Sequence, residues 1–280
     1  MLRRALLLLM MALPALAQKL PEGVILIKGA EPSASDTKTP LPERGAVAGR
    51  IYRNDYFGLT WTLPAGWTQQ NEGPPPSDHG NYVLAQFGQE GHGTLLITAQ
   101  DLFFALTPPR NAIELVKYSK DNLQPYYTVE REPSEVRIGG RAFGRFEYGS
   151  AAAQLHWAVL ATRVRCHLLQ FMITTRDPKL LASLISDLDG MKIADADAPQ
   201  CAADYAALSH VEPRLYDHRF NPIPARVIVG KDGKVKHVHV ISAFPDQARN
   251  ITEAVMQWQF KPAETEMETG MWFGAKPGAQ

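Results

Sequence analysis

Alternation and helical spacing divide the chain into strands and helices before any composition is considered. Leu59-Thr60-Trp61-Thr62-Leu63 alternates and stops at Pro64-Ala65-Gly66-Trp67, a strand followed by a turn. Tyr82–Phe87 and Thr94–Gln100 are β-prone runs joined by a glycine-containing loop, which predicts a hairpin. Asn111–Asn122 carries Ala112, Leu115, Val116 and Ser119 on one helical face. Val136-Arg137-Ile138 and Ala142–Tyr148 flank Gly139-Gly140, a second hairpin signal. Leu155–Thr174 is β-rich throughout and reads as two strands or one bent strand. A helix then follows: Asp177 caps it, Pro178 opens it, Leu180, Leu181, Leu184, Ile185 and Leu188 share a face, and Gly190 suits its stop.

Beyond residue 213 the pattern becomes β-β-α-β. Ala225–Val229 is a strand, Gly230-Lys231-Asp232-Gly233 a turn, and Val235–Ser242 a second strand. On that second strand Val238 and Val240 point one way, and His237, His239 and Ile241 the other. Pro245–Trp258 is a helix with Ala248, Ile251, Val255 and Trp258 aligned, and Glu266–Phe273 is a last strand. The expected fold class is α+β: an antiparallel sheet with packed helices, then a small β-β-α-β domain. The expected divisions are a signal peptide over 1–17, a flexible Pro/Ser-rich segment over 18–48, a first domain over 49–195, a linker over 196–212 and a second domain over 213–280. Within 18–48 only Val24-Ile25-Leu26-Ile27 has the composition of a strand.

The N-terminus changes this picture by adding a compartment. Arg3-Arg4 precede an apolar run of 13 residues, Ala5 to Ala17, and Ala15-Leu16-Ala17 fits the small-x-small rule of signal peptidase. A membrane-spanning helix needs about 20 apolar residues, so the reading is a cleaved export signal with Gln18 as the first mature residue, and no stable span after cleavage. An uncleaved anchor is the alternative. The expected location is the periplasm.

Charge and composition narrow the function classes. The 280 residues carry 29 Lys+Arg against 29 Asp+Glu, and cleavage after Ala17 removes only Arg3 and Arg4. Near-neutrality argues against a nucleic-acid partner, whose phosphates call for a basic face. A hydrophobic fraction of 45% is that of a globular protein. There is no phosphate-binding glycine loop before a helix, no Gly-x-Ser-x-Gly, no His-Glu-x-x-His and no Cys-x-x-Cys. Cys166 and His167 are neighbours on a strand and point to opposite faces, so they do not pair as nucleophile and base. His237 and His239 share a face, but a solvated sheet face explains them as well as a metal does, and no third ligand lies nearby in sequence. Asn250-Ile251-Thr252 is a formal glycosylation sequon that reads better as mid-helix. No catalytic residue, cofactor or metal site is assigned, and an enzyme is not expected.

Two cysteines in an exported chain suggest a bridge between Cys166 and Cys201, closing a loop of about 36 residues and worth roughly 3–4 kcal/mol on the chain-entropy model. The alternative keeps Cys166 as a buried apolar residue beside Val164, Leu168 and Met172.

Val227-Ile228-Val229-Gly230-Lys231-Asp232-Gly233-Lys234-Val235, Val238-His239-Val240-Ile241-Ser242 and Ala254-Val255-Met256-Gln257-Trp258-Gln259-Phe260-Lys261-Pro262-Ala263 resemble the TonB C-terminal family over roughly residues 213–275. The resemblance implies a periplasmic domain that takes an extended peptide of an outer-membrane transporter by strand addition. Against that family's pattern, the apolar head is too short for an anchor, no proline-rich rod follows, and the segment between Pro262 and Thr269 is short. Tyr52-Arg53-Asn54-Asp55-Tyr56-Phe57-Gly58-Leu59-Thr60-Trp61-Thr62-Leu63-Pro64-Ala65-Gly66-Trp67 is similar to the opening of PsbP/Mog1-like domains, which implies a protein-binding or scaffolding α+β unit. Together they imply a soluble periplasmic binding or adaptor protein whose partner is a protein or peptide, an outer-membrane transporter among the candidates. The alternative is a TonB-type energy transducer. The expected partner-binding edge is the final strand at Thr269, Met271 and Phe273, because nothing later in the chain covers it.

Overall fold

The structure is a computed structural model and describes residues 34–35, 42, 45–72, 80–215, 222–241 and 243–274. The proposed signal peptide and the Val24–Ile27 run lie outside these residues. In chain order the elements are β1 (Ala34–Ser35), β2 (Gly45–Ala48), β3 (Ile51–Asn54), β4 (Leu59–Thr62), β5 (Thr68–Glu72), β6 (Asn81–Gln89), β7 (Gly93–Asp101), α1 (Ala112–Asp121), β8 (Thr128–Ile138), β9 (Arg141–Ser150), β10 (Leu155–Val164), β11 (His167–Thr175) and α2 (Pro178–Asp187). They continue with β12 (Lys192–Ile193), β13 (Gln200–Cys201), β14 (Ala207–Ser209), β15 (Ile223–Val229), β16 (Val235–Val240), α3 (Pro245–Val255), β17 (Gln259–Phe260) and β18 (Met267–Phe273). The chain is sheet-rich with few helices, and among the described residues no helix is long and apolar enough to cross a membrane.

The first unit is built on an antiparallel sheet in the order β5-β6-β7-β11-β10-β9-β8. A smaller sheet, β12-β4-β3-β2, shares its core. Between them Tyr52 and Trp61 meet Phe87 edge-on, at centroid distances of 5.0 and 5.9 Å. The Leu181, Leu184, Ile185 and Leu188 stripe of α2 and the turn after it closes this core. Local signals act as their chemistry requires. Asp177 Oδ1 accepts from Lys179 N–H at 2.8 Å, and Asn111 Oδ1 accepts from Glu114 N–H at 2.9 Å, each satisfying a donor that its helix leaves unpaired. Gly139 and Gly140 take φ of 55° and 82°, the left-handed pair that a tight β8–β9 turn needs. On the opposite face of the large sheet, α1 packs against Phe146, Val159, Ala161 and Leu168. A Cβ on Gly144 would lie 2.5 Å from the Ala112 carbonyl oxygen, so glycine is what lets α1 approach β9.

In the second unit the sheet runs β1-β16-β15-β18-β13. Ala225, Val227 and Val229 pair with Met271, Thr269 and Met267 of β18, and these positions share one face of the sheet. Val238, Val240, Ala248, Ile251 and Val255 complete the core on that face, against α3.

Several expectations change here. Residues 18–48 are not wholly unstructured: β1 pairs with His239 and Val240, and β2 pairs with β3 as part of the first unit. Residues 196–212 are not a free linker, since β13 joins β18 and β14 joins β17, so the second unit draws in residues well before 213. These pairings are invisible to local pattern because the added strands are only two to four residues long. Leu155–Thr174 is two strands, β10 and β11. Helix α3 stops at Val255, where Gln257 and Trp258 tighten the last turn with N–H bonds to the Ala254 and Val255 carbonyls at 3.1 and 2.9 Å. Asn250 lies within α3 beside Ile251, which is fully buried.

Candidate functional site

The unexpected feature is the second face of the C-terminal sheet. Arg226, His239 and Glu268 point away from α3, and all three are buried against the first unit. Arg226 lies in a strand whose seven residues are all buried. Its guanidinium pairs with Asp101, at the end of β7, and its Nε sits 3.1 Å from Glu268 Oε1. It donates to His239 Nδ1 at 2.9 Å and to Tyr82 Oη at 3.3 Å, and His167 Nε2 is 3.2 Å away.

A second cation supports the same carboxylate. Arg165 donates from Nε to Glu268 Oε2 at 3.0 Å, and from a terminal nitrogen to the Tyr56 carbonyl at 3.0 Å. Its guanidinium lies 4.1 Å from the Tyr56 ring centroid, a cation–π stack. The Tyr56 hydroxyl donates to Glu268 Oε1 at 2.6 Å. Two arginines thus face two carboxylates, and the buried cluster is charge-balanced without His167, which satisfies the demand that buried charges be paired.

The ionisation states follow. Burial by itself would raise the Asp101 carboxyl, but Arg226 and His167 outweigh it and hold the group well below the carboxylate range. Burial drives the His167 imidazole below its usual value; Asp101 opposes this and Arg226 adds to it. Burial also pushes the Tyr56 phenol well above its ordinary value, opposed by Arg226 and reinforced by Glu268. His167 is therefore neutral. Its Nε2 lies between the Arg226 guanidinium at 3.2 Å and Asp101 Oδ2 at 3.4 Å, and its buried Nδ1 has no hydrogen-bond partner. Asp101, His167, Arg226 and Glu268 are buried, while Arg165 is only part-buried and reaches a cavity of about 300 Å³ that Tyr56 also lines.

The second candidate site is the edge of β18. Cys166 and Cys201 are bridged, with Cα atoms 5.3 Å apart. The bridge seats β13 against β18 as a parallel strand pairing Gln200 with Met267 and Cys201 with Glu268. Gln200 N–H donates to Glu266 C=O at 2.7 Å and Ala202 N–H to Glu268 C=O at 2.9 Å, so the even-numbered residues of β18 direct their backbone groups outward. The chain then leaves. By strand alternation the outward groups further along belong to Gly270 and Trp272, and no strand covers them among the described residues. Beside them runs a groove of about 360 Å³ lined by Tyr205, Ala207, Trp258, Phe260, Thr269 and Met271, with Asp204 as its charged member.

Of the residues named from the sequence, Cys166 and Cys201 meet. Thr269, Met271 and Phe273 do not carry the open edge: their backbone groups turn to β15, Thr269 and Phe273 are buried, and Met271 packs on the α3-side core. The edge belongs to the alternate positions. His237 and His239 do share a face as the alternation predicted, but it is not a solvated one. His239 is buried against Arg226, and the described residues hold no group of three His, Cys, Asp or Glu suited to a metal. Sequence reasoning missed Asp101, Arg165, His167, Arg226 and Glu268 as a set. A lone arginine inside the apolar run Ile223–Val229 was the one available signal.

No family model and no curated protein matches this chain. Among solved structures it is similar to cyanobacterial PsbP (CyanoP) from Synechocystis sp., at 18% identity, covering 53% of this chain and 98% of that one with a TM-score of 0.38. It is also similar to a crystal structure from Bacteroides thetaiotaomicron, at 11% identity, covering 56% of this chain and 51% of that one with a TM-score of 0.32. The first is a PsbP, the group that the opening of the first unit resembles in sequence. At these scores neither likeness carries a conclusion about function.

Proposed function

We propose that this chain is a periplasmic binding or adaptor protein that accepts an extended segment of a partner protein as an added strand on β18. The observation that supports this reading is β13. The chain itself adds a parallel strand to this edge, and covers only Met267 and Glu268. The outward groups of Gly270 and Trp272 continue the same edge beside the aromatic-lined groove. Main-chain bonds there supply affinity, and alternate partner side chains enter the groove between Tyr205, Trp258 and Met271. The resemblance of residues 213–275 to the TonB C-terminal family favours the same mode. The disulfide fits an oxidising compartment.

The test uses peptides selected from a displayed random library on the mature chain. Trp272→Pro removes an outward N–H, a position where a strand tolerates proline; Trp272→Ala makes the same packing loss and keeps the donor. Selected peptides bind Trp272→Pro at least ten-fold more weakly than Trp272→Ala, with both folded by circular dichroism. Equal binding to the two variants overturns the assignment of this edge. N-terminal sequencing of the exported protein begins at Gln18; Met1 retained overturns the cleaved-signal reading and reopens that of an anchored transducer.

A further inference from the structure

We propose that the Cys166–Cys201 disulfide is a redox latch: it holds β13 as a plug on the β18 edge, and reduction by a dithiol releases the plug and extends the edge open to a partner strand. The proposal rests on the strand-addition reading of β18 for its consequence, but not for the opening itself.

The two sulfurs have unequal surroundings. Cys166 is fully buried in the turn between β10 and β11. That turn is anchored by Leu102 N–H to the Cys166 carbonyl at 2.8 Å, and by Arg165 to Glu268 and Tyr56. Cys201 is half-buried on a strand of two residues. Apart from the bridge, β13 is held by the Gln200 and Ala202 backbone bonds and by an exposed Thr265–Gln200 contact at 3.3 Å. The next firm anchors are the Arg141–Asp195 ion pair before it and the Tyr205 ring on Phe260 after it, 5.3 Å between centroids. Two backbone bonds do not offset the ordering entropy of the segment between those anchors, so the covalent tether decides whether it stays.

The exchange balances with a dithiol as reductant. One of its thiolates attacks Cys201 Sγ, the reachable sulfur, forming a mixed disulfide as the Sγ–Sγ bond breaks. Cys166 leaves as a thiolate and takes a proton. The Glu268 carbonyl, 3.9 Å from its sulfur, accepts the new S–H. The reductant's second thiol then displaces Cys201, which leaves as a thiol. Two electrons and two protons pass to the protein, and the dithiol ends as a disulfide. Departure of β13 uncovers the outward groups at Glu266 and Glu268, which become continuous with those of Gly270 and Trp272. The units stay joined, because the Arg226–Asp101 and Arg226–Glu268 pairs and the Phe104–Trp272 ring contact do not involve β13.

The test is residue-resolved amide hydrogen exchange on the full mature chain with and without dithiothreitol, thiols confirmed by mass, alongside Cys201→Ser. On reduction, the Gln200 and Ala202 amides exchange at least ten-fold faster, while β15 and β11 amides are unchanged. A synthetic peptide of residues 197–203, with serine at the cysteine position, binds the reduced chain and Cys201→Ser at least ten-fold more tightly than the oxidised chain. Unchanged exchange with both thiols free overturns the latch, as does faster exchange throughout both units, which makes the bridge a global staple. Local loosening with no binding of any selected peptide in either redox state supports the opening and overturns the strand-addition reading instead.

Discussion

The two faces of the C-terminal sheet are equally buried and oppositely made. Toward α3, Ala225, Val227, Val229, Val238 and Val240 form an apolar core that needs only shape and area to be stable. Toward the first unit, Arg226, His239 and Glu268 are buried to the same degree, and their stability depends on every charge finding its opposite. The apolar face tolerates small errors by partial collapse. The polar face does not, because a removed partner leaves a charge stranded away from water. The first face packs the sheet on its own helix, and the second ties it to the larger sheet through Arg226–Asp101 and Arg165–Glu268.

The largest effect expected from this contrast is at Arg226 and its neighbour. Arg226→Ala strands Asp101, leaves Glu268 to Arg165 alone, and costs about 3–5 kcal/mol of unfolding free energy in denaturant titration. Val227→Ala, one residue along on the other face, costs about 1–3 kcal/mol. Equal costs, or a smaller cost at Arg226, would show that water reaches the cluster and break the comparison. Adding Asp101→Asn to Arg226→Ala recovers part of the loss, whereas adding it to Val227→Ala does not.

Next in size is pH dependence. His167 has a lowered folded value, so below about pH 6.5 the unfolded chain binds a proton that the folded chain refuses. Stability is complete above that pH and falls as pH drops through it, by up to about 1.4 kcal/mol per unit. Asp101, held low when folded, adds to the loss in the ordinary carboxylate range. His167→Gln flattens the step near pH 6 and leaves the more acidic one; a step of undiminished size in that variant assigns it to another group.

The smallest expected effect sharpens the border of the polar face. Trp272 is half-exposed and meets Phe104 edge-to-face at 5.3 Å. A double-mutant cycle between Trp272→Leu and Phe104→Leu gives a coupling of about 0.5–1.5 kcal/mol. Coupling near zero confines the interface energy to the ion cluster.

Local chemistry was legible from the residues themselves. Asn111 and Asp177 cap their helices, and Gly139-Gly140 closes its hairpin. The hairpin β15–β16 and helix α3 follow the pattern of their apolar positions, and the even cysteine count foretold the bridge. The alternation of His237 and His239 against Val238 and Val240 gave the correct faces but not their surroundings. A polar face predicts water unless a second surface brings the complementary charges. Those charges, Asp101 and Arg165, lie more than a hundred residues from Glu268 and carry no mark of pairing in sequence.

The amino-acid order by itself determined the helices, the longer strands, their faces and their caps, because these depend on residues within a turn or a pleat of one another. Tertiary structure decided the rest: that β13 covers the start of β18, that the open edge falls to Gly270 and Trp272, and that Arg226 lies buried. Each of these rests on contacts between distant segments. A two-residue strand has too few bonds to declare itself locally, and a buried charge is stable only once its partners have arrived.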